Sequence, residues 1–290
     1  MRLIALVMTR NSEWVLQSTV RACLRWCDGA VILNHASDDG TSAIITKLQE
    51  AFPDQIVRLF EENPIWNEMT FRHKTLEAAR QIGGTHFANV DDDEVLTANL
   101  LPYIRYQCEL LNPGDALEVP WLSMWNSLST YRDDQSDWSK TYVTLAFRDV
   151  DGMCYRPAGD GYQHHNRRPI GCDGATIRFP SHQSMGGLMH LQFSSNARLK
   201  AKQALYKMRE VIHWPGRLHP TDINKMYDNT TLPKGLQVSH APAEWWVGME
   251  QERAMIRVND DPWQKLECER LWKQYGVDMF RGLDLYGVVQ

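Results

Sequence analysis

Four acidic side chains stand side by side in His86-Phe-Ala-Asn-Val-Asp-Asp-Asp-Glu-Val-Leu96, directly after an apolar run. Adjacent carboxylates repel one another, so Asp91, Asp92, Asp93 and Glu94 must each gain something in return. Three readings fit these residue types. Two carboxylates converging at a strand end can hold a hard divalent cation and leave positions open for water and phosphate oxygens. One aspartate can act as nucleophile in phosphoryl transfer while a second serves as general acid and base. The run can also complement the positive end of a following helix, capped near Thr97. In extended geometry Asp91 and Asp93 share a face and Asp92 points away. An EF-hand is excluded, because the sixth loop position is Leu96 rather than Gly and the twelfth is Pro102 rather than Glu.

The elements that must position these groups are legible upstream. Leu3–Met8 is a continuous apolar run of the kind found in buried parallel strands. Trp14, Leu16, Val20, Cys23, Leu24 and Cys27 recur at near-helical spacing, with Asn11 or Ser12 available to cap the start. Strand, helix and strand follow over Ala30–Leu33, Thr41–Ala51 and Ile56–Phe60. Met69–Ile82 reads as a helix closed by Gly83-Gly84, and Thr85–Val90 as the strand that delivers the acidic run. This alternation predicts a mostly parallel sheet with helices on both faces. Ligands of such sheets bind beyond the carboxyl ends of the strands. The loops Thr9–Asn11, Asn34–Thr41 and Asp91–Glu94 all fall at those ends.

Beyond residue 110 the pattern changes. Ala116–Pro120 and Thr141–Arg148 read as strands around a polar, Trp-rich insert, and residues 151–187 as loops laid over a site. Ser194–Ile212 is an amphipathic helix, and Asp261-Pro262 opens another that closes around Gly276. The expected division falls into an α/β half over 1–110, a second half over 111–213 that completes the domain and a helical extension over 214–290. The 290 residues carry a net charge of −5, which gives no general attraction to nucleic acid or anionic membrane. Arg167-Arg168 and the Arg198–Arg209 region are local basic exceptions. Eleven tryptophans suit a carbohydrate or nucleotide site and core packing equally. Six cysteines without a CxxC pair read as reduced thiols, and no segment approaches the roughly 20 apolar residues of a membrane span. A cytoplasmic protein is the expectation.

Together, Thr9-Arg-Asn11, Asn34-His-Ala-Ser-Asp-Asp-Gly-Thr41 and Asp91-x-Asp93 resemble family 2 glycosyltransferases of the GT-A fold. The nearest likeness is to the lipopolysaccharide-core type, on account of Arg72 in the helix before the acidic strand and a late His190 followed by Lys202 and Tyr206. The resemblance is good over residues 1–100, thinner over 140–210 and absent over 215–290. It implies an α/β GT-A domain, with 1–110 as the nucleotide-sugar-binding half and 111–213 as the acceptor-side half, acting on a nucleoside-diphosphate sugar with Mn²⁺ or Mg²⁺. The helical C-terminal extension is read from the residue pattern alone. Thr9, Arg10, Asn11, Asn34 and Asp39 would hold the nucleotide, and Arg72 or Lys74 the diphosphate. Asp91 would contact ribose or metal-bound water, Asp92 the donor sugar, and Asp91, Asp93 and His190 would form the metal set. Asn34 replaces the Asp usual in the family, which keeps a hydrogen bond and loses a charge.

Inverting transfer needs a base for the acceptor hydroxyl. The family's His-Glu reads Gln163-His-His-Asn166 here, so His165 is the first candidate base, with Asp160 and Asp173 as fallbacks. The acceptor by analogy is a glycan or a lipid-linked saccharide, and modified nucleic acid stays open. Two rival readings stand beside this one. Asp91-x-Asp93-x-Val95 also resembles haloacid-dehalogenase-type phosphohydrolases, although three strand–helix units precede it and no later Asp-Asp completes the magnesium site. A non-catalytic nucleotide-binding domain would need no base at all.

Overall fold

The computed structural model describes residues 1–134, 136–156, 167–231 and 234–289. The strands are β1 (Leu3–Thr9), β2 (Gly29–His35), β3 (Ile56–Glu61), β4 (His86–Asn89), β5 (Glu94–Leu96), β6 (Ala116–Ser123), β7 (Thr130–Arg132), β8 (Tyr142–Arg148), β9 (Thr176–Arg178), β10 (Leu188–His190) and β11 (Val238–His240). The helices are α1 (Leu16–Cys23), α2 (Thr41–Ala51), α3 (Glu68–Gln81), α4 (Leu101–Glu109), α5 (Asp137–Lys140), α6 (Asn196–His213), α7 (Pro220–Thr231), α8 (Glu250–Ala254) and α9 (Trp263–Tyr275). The chain divides into two compact units. The first comprises Met1–Leu122, Gln135–Leu191 and Pro242–Arg257, and the second Ser123–Asp134, Gln192–Ala241 and Val258–Gln290.

The first unit is a mixed α/β layer structure around a sheet of order β3-β2-β1-β4-β8-β6-β10-β5, with β9 beside β6. Strands β3, β2, β1 and β4 are mutually parallel, as the alternation of elements predicts. Beyond β4 the sheet turns mixed: β8 is antiparallel to both β4 and β6, and β10 to β5. Every residue of β1 and β2 is buried, because both faces are covered. Leu3, Ala5 and Val7 pack on one side with α1, α2 and α4 residues such as Val20, Ile45 and Ile104. Ile4 and Leu6 pack on the other with Met69, Leu76 and Ala79 of α3. Each fully buried aliphatic contributes about 1.5–3 kcal/mol, so this double core is what holds the strand ends in place. After the buried Ile56, strand β3 alternates half-buried and exposed residues, as an edge strand does.

A helix joining two parallel strands runs back against them, so its first turns lie at the carboxyl rim. The Asn67 side chain caps α3 by accepting from Thr70 N at 3.1 Å, which sets Glu68 and Arg72 at that rim. At its far end Gly83 takes φ +81°, and a Cβ on Gly84 would lie 2.7 Å from the Ala79 carbonyl oxygen. The second unit packs α6 with α9 around Ala204, Leu205, Met208, Cys268, Leu271 and Phe280. There the buried Lys207 ammonium donates to Asp228 at 3.0 Å and to the Asp284 carbonyl at 2.8 Å. The six cysteines are free thiols, and among the described residues no helix is long and apolar enough to cross a membrane.

Candidate functional site

The acidic run is a turn rather than the end of a strand. β4 stops at Asn89, and Glu94 N donates to the Asp91 carbonyl at 3.1 Å across Asp92 and Asp93. Glu94 then opens β5, which lies antiparallel to β10 with Glu94 opposite His190. Two expectations are corrected by this. Alternation along an extended strand does not decide which carboxylates share a face, and the run does not cap a helix, because β5 and a 3-10 turn separate it from α4.

The turn sends each carboxylate to a different partner. Asp91 accepts from Arg72 at 3.2 Å and from Arg167 at 2.5 Å. Burial alone would raise its pKa, but the guanidiniums of Arg167 and Arg72 outweigh that and hold it below the ordinary carboxylate value. Asp92 accepts from the Ser12 hydroxyl, and its carbonyl from Thr19 Oγ1 at 2.8 Å. Burial and the neighbouring Asp93 charge push the Asp92 carboxyl up to about 7. Glu94 is fully buried and accepts from Arg167 at 2.7 and 2.6 Å, from Trp121 Nε1 at 2.6 Å and from Asp91 N at 2.9 Å. Asp93 Oδ1 stands 3.4 Å from His190 Nε2, and the Asp93 carbonyl accepts from Leu191 N at 2.8 Å. The His190 ring is stacked on Trp121, with centroids 4.5 Å apart and planes 12° from parallel.

Two loops meet the acidic turn on the same rim. Asn11, at φ 52°, exchanges hydrogen bonds with Asp38, donating at 2.6 Å and accepting from Asp38 N at 2.9 Å. Asp39 accepts from Thr41 N at 2.9 Å and Glu13 N at 3.2 Å, which fixes the start of α2 against the first loop. Asn11 and Asp39 therefore brace the loops. Thr9 and Asn34 are paired neighbours on β1 and β2; Asn34 Nδ2 donates to Ser42 at 2.8 Å, while its buried Oδ1 has no partner. Arg10 donates to the Pro64 carbonyl at 2.9 Å, drawing in the loop between β3 and α3. Arg72 is buried and bonded to Glu68 at 2.8 Å, whereas Lys74 is exposed and paired with Glu61.

The candidate bases are not brought to this rim by the described residues. His165 and Asp160 lie outside the described residues. Asp173 is exposed and sits just before β9, at the end of the sheet where β6 begins, opposite the carboxyl ends of β1 and β4. For a metal, Asp93 and His190 supply an oxygen and a nitrogen at 3.4 Å, near the ~3 Å between neighbouring donors of one six-coordinate cation. Asp91 is committed to arginines, and among the described residues no three His, Cys, Asp or Glu side chains surround one point. The donor set fits a cation held by two protein ligands, the rest of its shell coming from phosphate oxygens and water.

Arg167, Trp121 and Ser12 are the site residues that motif reasoning passes over. Arg167 stands out in the sequence only as half of a basic pair, and Trp121 only as part of a Trp-rich stretch. Neither residue type has a spacing signal, because both reach Glu94 through tertiary contacts.

No family model matches the chain, and no curated protein matches it. Solved structures resemble it in outline. TarS of S. aureus superposes with a TM-score of 0.47 at 13% identity, over 80% of this chain and 43% of that one. GalNAc-T7, crystallised with UDP, GalNAc and Mn²⁺, gives 0.42 at 10% identity over 80% and 54%. The glucosyl-3-phosphoglycerate synthase of Mycobacterium tuberculosis, with Mn²⁺, UDP and glucosyl-3-phosphoglycerate, gives 0.31 at 17% identity over 42% and 44%. The chain thus spans less than half the length of the first of these. At such scores the functional reading rests on this chain's own side chains.

Proposed function

We propose that the chain is a metal-dependent glycosyltransferase, moving a sugar from a nucleoside-diphosphate sugar to an acceptor hydroxyl with inversion. The observation that carries this is the Asp93–His190 pair on the carboxyl rim, beside an Asp91 that two arginines keep ionised. Asp93 and His190 would hold Mn²⁺ or Mg²⁺, whose chemistry when bound is to offset the charge that builds on the diphosphate leaving group. The chain's own groups do the rest. The unpartnered Asn34 Oδ1 offers an acceptor to the nucleotide, between loops that Asn11–Asp38 and Asp39–Thr41 hold rigid. Asp92 faces the same rim, tied to Ser12. The base is assigned from sequence alone to His165, and the acceptor by analogy to a glycan or lipid-linked saccharide.

The phosphohydrolase reading loses ground on one observation. Its nucleophile would be Asp91, whose two carboxylate oxygens already accept from Arg72 and Arg167. The test is calorimetric titration of a panel of nucleoside diphosphates and their sugars with and without Mn²⁺, followed by donor hydrolysis. Binding that needs Mn²⁺ and disappears in Asp93→Ala is expected. Nucleotide binding that is indifferent to both Mn²⁺ and Asp93→Ala overturns the proposal.

A further inference from the structure

We infer that Trp121 is the positioning residue that aims His190 at the cation, an inference that rests on the glycosyltransferase reading of the Asp93–His190 pair. The indole is held at both ends. Its backbone belongs to β6, where Trp121 N donates to the Thr141 carbonyl at 2.9 Å. Its Nε1–H donates to Glu94 Oε1 at 2.6 Å. Glu94 is itself immobilised: fully buried, it accepts from both terminal nitrogens of Arg167 and from Asp91 N, and it lies opposite His190 in the β5–β10 register. Arg167 in turn lies over the Trp121 ring at 5.3 Å from its centroid.

The imidazole lies flat on this anchored ring, with planes 12° apart, and its Nε2 is directed at Asp93 Oδ1. Tipping the imidazole away would break the stack, and sliding the indole would break the bond to Glu94. The stack has an electronic consequence as well. An indole face is electron-rich, so it favours an imidazole whose ring is polarised by a cation over one that is not. Groups that orient a metal-binding histidine typically govern affinity by roughly 10–100-fold. Tryptophan is required for both parts, since phenylalanine offers a face without the N–H tether and leucine offers neither.

The experiment titrates the full chain with Mn²⁺ alone and reads the electron paramagnetic resonance signal of the unbound aquo ion, which yields affinity and site number separately. Wild type, Trp121→Phe, Trp121→Leu and Asp93→Ala are compared, with melting curves in EDTA. The expected result is roughly tenfold or greater weakening in Trp121→Leu, an intermediate weakening in Trp121→Phe, and one site per folded molecule in each. If Trp121→Leu does not fold, an affinity loss of at least about threefold in Trp121→Phe decides the matter. Unchanged affinity with fewer sites would mean that Trp121 serves only the fold, and overturns the inference. A wild type that binds no Mn²⁺, or an Asp93→Ala variant that binds it normally, overturns the reading of the pair itself.

Discussion

Replacing Arg167 by methionine tests whether the acidic turn is held by charge pairing. Arg167 is 8% exposed and Glu94 0%, so their pairing is a buried one. The mutation removes two hydrogen bonds to Glu94 and one to Asp91. Asp91 keeps Arg72 and is 31% exposed, so solvent and one guanidinium still serve it. Glu94 keeps Trp121 Nε1 and Asp91 N but no cation, and leaving a buried charge unpaired costs about 3–5 kcal/mol. Unfolding entropy of about 2.1 cal/mol/K per residue converts this to a fall in Tm of about 5–8 °C if the chain unfolds as a unit. Differential scanning calorimetry of the metal-free chain measures it. The double variant Arg167→Met/Glu94→Gln removes the orphaned charge yet keeps an oxygen for the indole, and should recover at least half of the loss. A single variant melting within about 2 °C of wild type, or a double variant no better than the single, refutes the reasoning.

Other expectations concern the scaffold. Burial, Arg148 and the amino terminus depress the His86 pKa to about 4, below the ordinary 6.5. The unfolded chain therefore takes up this proton first, and stability is lost as pH falls from about 6.5 to 4. A His86→Gln variant should show a flatter acid limb in urea denaturation, and an unchanged limb speaks against the assignment. Gly187 precedes β10, and a Cβ there would lie 2.2 Å from the Pro120 carbonyl oxygen. Gly187→Ala should cost about 1–3 kcal/mol in denaturant unfolding through that clash, whereas Gly152→Ala, where φ is +84° and no atom lies within 4 Å, tests the backbone effect alone.

The parallel half of the sheet is legible in the sequence because β1 and β2 are unbroken apolar runs separated by helices of regular period. The helix Thr41–Ala51 has the bounds its spacing predicts, and the late amphipathic helix is displaced only slightly, to Asn196–His213. The rim loops were legible for the same reason, since strand ends fix them. The acidic turn was not. Asp91–Glu94 reads as an extension of β4 until β5 is seen to pair with β10, a contact nearly a hundred residues away in the chain that no local pattern encodes. Arg167 and Trp121 escape for the same reason. Their roles exist only once Glu94 is buried between them. The division into units likewise follows contacts: Pro242–Arg257 packs with the first unit, where Arg25 grips Glu252 through three hydrogen bonds and Arg257 N donates to the Trp14 carbonyl at 2.8 Å.

The partner assignments separate two explanations of a cation at this rim, general acidity and local ligation. Around the turn stand Glu68, Asp91, Asp92, Asp93 and Glu94 against Arg72 and Arg167, a formal excess of negative charge. If that excess alone attracts the ion, neutralising either Asp92 or Asp93 should weaken binding alike. The geometry argues otherwise. Asp92 is directed to the Ser12 hydroxyl, and Asp92→Asn retains an oxygen for that bond while deleting the charge Asp92 carries above its raised pKa of about 7, the pH range in which the two variants are compared. Asp93 is directed to His190, so Asp93→Asn replaces an anionic oxygen ligand by a weaker neutral amide oxygen at the ligating position itself. Mn²⁺ affinity should therefore fall only several-fold in Asp92→Asn, with a salt dependence close to wild type, and by two orders of magnitude or more in Asp93→Asn. Equal losses in the two variants, both vanishing at high salt, would mean that the acidic turn concentrates cations without ligating one.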